Sequence, residues 1–310
     1  MKYILTFFIF SLLSLFQKDT KQIEVITYWN KGDTQKIVIK EGFITYEGEE
    51  VVKKEVTSSY AEITVLEQTD SSYIVEWNYT EIEVDRLNVE VEEDPIDQRL
   101  EEMFNGMKLR YQTDEFGVFE STLNLDELLQ TVNDSMEMLV KNGEMGIEEG
   151  EDAEMFVGLM KEIIFSEEMK SEFIRDIENY HFYHGNSFIA DTVIHYEDAV
   201  ENQVRGEDIP VKGLVSIRVN KEEKSISIED IRTFDEEKVK QAIGDGTKKV
   251  KMSKRKKLMK EVKENRIDLK DVKSHTYDYE FGWLKYYEKS RTFTGDNQRK
   301  IEFVTIEEIQ

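Results

Sequence analysis

The chain has 310 residues, 66 of them acidic and 41 basic, and a formal charge of −25 at neutral pH. Such a surface repels nucleic acid and anionic membranes over a Debye length of about 8 Å, and it favours solubility. With no cysteine there are neither disulfides nor a lipidated-cysteine anchor, and the chain is long enough to bury a core without such staples.

Met1-Lys2 is followed by an apolar run, Tyr3 to Phe16, and then by Gln17-Lys18-Asp19-Thr20. A basic start, a short hydrophobic stretch and an abrupt polar break read as a signal peptide over residues 1–16, cut before Gln17 or after Ser14. The run is short for a spanning helix, which needs about 20 residues. An uncleaved N-terminal anchor is the alternative. The expectation is an exported protein, periplasmic or extracellular, of a bacterial envelope.

Residues 17–310 read as one α+β domain, with two lobes split near residue 180 as the alternative. Ile23, Val25 and Thr27 alternate, and Asn30-Lys31-Gly32-Asp33 makes a turn. Gln35 to Lys40 and Gly42 to Tyr46 are extended, as are Tyr60 to Leu66 and, after Asp70-Ser71-Ser72, Tyr73 to Tyr79. Asp94-Pro95 signals a helix start, with Ile96, Leu100, Met103, Phe104 and Met107 at helical spacing.

Lys108 to Thr113 and Val118 to Thr122 are extended again. Asn124 with Glu127 predicts a capping box. It opens a helix whose apolar stripe is Leu125, Leu128, Leu129, Val132, Met136, Leu139 and Val140. Two further helices cover Asp152 to Phe165 and Glu167 to Ile177, the second capped by Ser166. Strands resume at Tyr180, over Ser187 to Tyr196, Val211 to Val219 and Ser225 to Ile231. Phe234 to Asn265 is mostly helical and broken near Gly244-Asp245-Gly246. A long hairpin closes the chain: His275 to Phe293, a turn at Thr294-Gly295-Asp296-Asn297, then Lys300 to Ile306.

Several chemistries are missing. There is no G-x-S-x-G elbow, no cysteine nucleophile and no phosphate-binding glycine loop. His181 and His184 are read on a strand, pointing to opposite faces among aromatics, and not as a metal pair. The acidic stretch Glu144 to Glu154 lacks the ordering of a calcium loop. The basic cluster Lys248 to Lys260 has no interleaved aromatics to stack on bases. No catalytic residue, metal or cofactor is assigned.

The stripe His275, Tyr277, Tyr279, Phe281 and Trp283 alternates with polar residues, which on a strand puts five rings on one face. Tyr73, Val75, Trp77 and Tyr79 form a second stripe. Tyrosine and tryptophan offer an apolar wall with polar tips, so Trp77, Tyr79, Tyr277, Tyr279, Phe281 and Trp283 are the candidate ligand-binding residues.

On the exported start, Lys31-Gly32-Asp33-Thr34, Tyr111-Gln112-Thr113-Asp114-Glu115-Phe116-Gly117 and the terminal hairpin, the chain resembles uncharacterised secreted proteins of the Bacteroidetes type. Its layout is similar to half-barrel envelope proteins related to lipoprotein carriers. The resemblance implies a curved antiparallel sheet with inserted helices packed on it around an apolar cavity. It transfers no functional residue. The function expected is therefore non-enzymatic binding of an apolar or amphipathic ligand, or of an envelope partner protein, with no nucleic acid and no span in the mature chain. A purely structural or interaction role is the alternative, and a carboxylate hydrolase a third.

Overall fold

A computed structural model describes residues 22–89, 105–145, 147, 150–200, 208–246, 267–295 and 297–309. The expected signal segment, residues 94–104 of the expected helix and the Lys248–Lys260 cluster lie outside the described residues, while Met107, the last residue of that helix's expected stripe, is described and is not helical.

Alternating apolar and polar residues produce strands, and here the strands build one large sheet. The elements are β1 (Gln22–Val25), β2 (Thr34–Glu47), β3 (Glu50–Gln68), β4 (Ser72–Leu87), β5 (Lys108–Asp114) and β6 (Phe119–Thr122). Three helices follow: α1 (Leu125–Lys141), α2 (Glu151–Ile164) and α3 (Glu167–His181). Then come β7 (Asn186–Ile189), β8 (Thr192–Val200), β9 (Ile209–Asn220) and β10 (Ser225–Phe234). Helix α4 (Glu236–Gly246) precedes β11 (Asp268–Asp278), β12 (Leu284–Thr294) and β13 (Gln298–Ile309).

Eleven strands pair antiparallel in the order β6-β5-β4-β3-β2-β13-β12-β11-β10-β9-β8. The sheet is open, with β6 and β8 at its edges, and β1 pairs separately with β7. Strands from before and after residue 180 join through the β2–β13 ladder. The fold is thus α+β: a curved antiparallel sheet, not closed into a barrel, with helices packed on it. No helix among the described residues is long and apolar enough to cross a membrane.

The helices cover only part of the inner face. Leu125, Leu129, Val132, Met136 and Val140 of α1 are buried, matching the stripe expected for that helix. Each such aliphatic side chain contributes about 1.5–3 kcal/mol when fully buried. Ser166 caps α3 by accepting from the Met169 amide. The capping box expected at α1 does not form: Asn124 makes no cap bond and instead clamps β5, accepting from the Arg110 amide and donating to the Lys108 carbonyl. A long-range bond outcompetes the local one.

Several boundaries differ from expectation, among them Ser187 to Tyr196, which is split between β7 and β8 in two different sheets. Helix α3 continues past Ile177 to His181, because nothing in Glu178-Asn179-Tyr180-His181 breaks it before Gly185, at φ +75°. The stretch His275 to Phe293 is two strands and not one. Asp278 turns the chain: its carboxylate accepts from the Glu280 and Phe281 amides, and Gly282 takes φ +76° against the Ile26 carbonyl. Strand β3 also runs well beyond Tyr60 to Leu66. Its first half carries polar residues on both faces and so shows no clear alternation.

Gly42, at φ +151° in β2, is another constrained position, since a Cβ there would overlap the Glu55 carbonyl of β3. Gly42→Ala should lower stability by about 1–3 kcal/mol through overpacking and backbone strain, read as a fall in the urea midpoint. An unchanged midpoint would mean β2 and β3 are not packed this closely.

Candidate functional site: the charged groove on the inner face

Beneath α3 lies an aromatic and histidine core. Trp77 and Tyr277 are completely buried. The Tyr180 hydroxyl donates to Gln35 Oε1 at 2.6 Å, and Gln35 Nε2 donates to the Leu284 carbonyl at 2.8 Å. Tyr277 donates to the Tyr180 carbonyl, tying β11 to the end of α3.

His181 and His184 sit at that helix end and the following turn, not on a strand. Their rings lie 5.0 Å apart in one cluster, so the opposite-face reading is corrected. His181 Nδ1–H donates to Gly117, and Nε2 accepts from the Tyr111 hydroxyl. His184 donates to Gly282 and His275 to the Asn179 carbonyl. Burial, the dominant cause, holds all three neutral: His181 well below its ordinary value, His184 at about 4 and His275 at about 3. Among the described residues no cluster of His, Asp or Glu is placed to hold a metal ion.

The six aromatics singled out from the sequence do not form one continuous wall. Tyr79 is partly buried and donates to Asp176. Trp283 stacks on Trp29 at 4.4 Å, whereas Phe281 points outward in the turn and is 51% exposed. Trp77 meets Tyr180 edge-on, and Tyr277 meets His184, so these two join the packing under α3. The stripe failed because a turn at Asp278 interrupts its alternation.

Beyond the core the same face opens into a groove of about 880 Å³. It touches both β3 and β10, with β2, β13, β12 and β11 between them, so the sheet must curve around it. Helix α3 bounds it with Arg175 and Asn179. Pairing register sets its floor. The core row Ile228, His275, Tyr287, Ile306 and Ile39 lies under the helix. Two residues further along each strand, on the same face, come Asp230, Lys273, Lys289, Val304, Glu41 and Thr57. Two residues further again come Arg232, Asp271, Arg291, Glu302, Phe43 and Glu55.

Each carboxylate lining this groove has a cation. Glu41 pairs with Arg175 at 2.7 Å, Asp230 with Arg232 at 3.0 Å and Asp271 with Arg291 at 2.7 Å. Glu55 pairs with Arg86 at 3.1 Å and Glu302 with Lys300 at 2.6 Å. Apolar surface is interspersed: the Phe43 ring lies under Lys53 and Lys300, and Val304 is beside it across the sheet. A signal for this site existed in the sequence only as unremarkable charges, because residues 41, 230, 273 and 304 meet through register alone.

A smaller cavity of about 420 Å³ lies between β5 and α1. It borders Asn105, next to the undescribed residues 90–104, and supports no separate site.

No family model matches this chain, and no curated protein matches it. Among solved structures, one of lipid–protein interactions in lipovitellin is similar over 91% of this chain, at 8% identity and a TM-score of 0.38. The chain spans 25% of that lipovitellin chain. A likeness of that degree carries no argument about function.

Proposed function

We propose that this is a non-enzymatic binding protein that holds a small amphipathic molecule in the groove between the curved sheet and α3. The observation that carries the reading is the groove itself: about 880 Å³, with paired charges beside Phe43 and Val304. Ligand sites commonly have ~300–1,000 Å³ and combine apolar walls with a few fixed polar groups. Among the described residues only Arg175 and Asn179 of α3 reach the groove from a helix, which leaves it open beside that helix. Lys2 and the apolar run Tyr3 to Phe16 support action outside the cytoplasm.

Native mass spectrometry of the full chain, purified without detergent, should show a bound species of lipid-like mass. Thr57→Trp, which fills the groove from β3, should release it while the fold persists. A clean apo mass, together with no uptake of added monooleoylglycerol, would overturn the reading and leave a structural or partner-binding role.

A further inference from the structure

The groove's lining carries as many carboxylates as cations, but they are not all paired with one another. The arginines that line it are committed to carboxylates, and its carboxylates are committed to cations. What remains is Lys273 and Lys289. They face each other directly across the β11–β12 ladder. Like charges directly opposite in a sheet destabilise it. Neither lysine forms an ion pair or hydrogen bond among the described residues, in a chain with 66 carboxylates available.

Lys273 is half-buried, and its ammonium sits 3.0 Å from the centre of the Phe182 ring at the end of α3. That contact eases desolvation but uses no hydrogen bond, so the ammonium's donors stay free. Burial, then Lys289 and Arg232, lower Lys273 to about 8, with Asp230 opposing, so it remains mostly charged at neutral pH. Asn179, from the next turn of α3, lines the groove nearby. Asp230, across the β10–β11 ladder from Lys273, is committed to Arg232, so two facing cations are left in the groove with donors that no carboxylate among the described residues takes up.

We propose that Lys273 and Lys289 form the head-group site of this groove and hold a phosphate monoester. A phosphate monoester carries about −1.5 to −2 at neutral pH, which suits two adjacent ammonium groups without an ion pair better than a carboxylate does. The inference rests on the binding role proposed above and specifies its ligand. The phosphate belongs either to an amphipathic lipid or to a soluble phosphate compound.

The test is calorimetric titration of the full chain with oleoyl lysophosphatidate, monooleoylglycerol and inorganic phosphate. The wild type should bind lysophosphatidate about tenfold or more tighter than monooleoylglycerol, and Lys273→Gln and Lys289→Gln should each remove that advantage. Lys270→Gln, on the opposite face of β11, changes net charge equally and should have no effect. Binding of inorganic phosphate as tight as lysophosphatidate, lost in the two variants, would support the site and identify a soluble ligand, overturning the amphipathic reading. Equal binding of both lipids, unaffected by either variant, would overturn the phosphate site and leave the groove reading standing. No binding of any phosphate probe would overturn the site as well. Both variants should melt at or above the wild-type temperature, because a like-charge contact is removed. A marked fall would show the lysines to be structural and would also overturn the proposal.

Discussion

Trp77→Ala should lower the unfolding free energy by about 3–5 kcal/mol, the cost of truncating a large aromatic in a packed core. Trp77 has no exposed surface. Its cross-strand neighbours Ile63 and Leu109 are also buried, and Tyr180 closes over it from α3 with ring centres 5.7 Å apart. The cavity left by alanine would be enclosed on all these sides, so relaxation could recover little. Trp77→Phe should cost much less, because the indole Nε1 has no hydrogen-bond partner to lose. Urea denaturation measures both. Phe281→Ala, in the exposed turn, provides the contrast and should change stability by no more than about 0.5 kcal/mol. A Trp77→Ala protein as stable as wild type but unable to bind ligand would move the binding surface from the groove back to the aromatic residues.

Mild acid should destabilise the protein strongly. Three of the chain's four histidines, His181, His184 and His275, are buried together, while His195 is exposed on β8. Each buried ring donates one N–H to a backbone carbonyl, at Gly117, Gly282 and Asn179 respectively. The second nitrogen of His181 accepts from Tyr111, and those of His184 and His275 have no partner. No carboxylate among these contacts could receive a second proton's bond.

In the unfolded chain these rings protonate near 6.5, whereas in the folded chain they resist to about 4 at His184 and about 3 at His275. The unfolded state therefore binds more protons below 6.5. Their contribution to stability is complete above that pH and is lost as the pH falls toward the folded values. Summed over the three rings, the loss from pH 7 to pH 5 is about 6 kcal/mol, comparable with the whole stability of an ordinary domain. Asp176 acts with the opposite sign: burial raises its carboxyl, against the pull of Arg175, so protonation relieves a cost at lower pH. Urea unfolding followed from pH 7 to 5 tests this, and a flat profile would show that the rings are solvated or already charged. His275→Phe should flatten one third of the slope, since it removes one of three equivalent terms.

What the chain determines locally is most of its secondary structure. Period-two alternation at Gln35–Lys40, Tyr73–Tyr79 and Ser225–Ile231 marks strands, and the seven-residue stripe of α1 marks a helix, because one buried face imposes its period on the residues. Ser166 was legible as a cap for the same local reason. The α+β class with inserted helices followed from the order of these segments, whereas the curvature of the sheet was implied only by the resemblance to half-barrel proteins. The aromatic stripe misled because periodicity cannot see the Asp278 turn, whose carboxylate and Gly282 reverse the chain inside an apparently continuous pattern. His181 and His184 were misplaced because four residues without a breaker let α3 run on. The groove was invisible altogether. Among the described residues, which acids of the groove find a cation depends on the register of neighbouring strands and on α3 reaching Glu41, and the two halves of the groove meet only where β2 pairs with β13, so no local pattern encodes it.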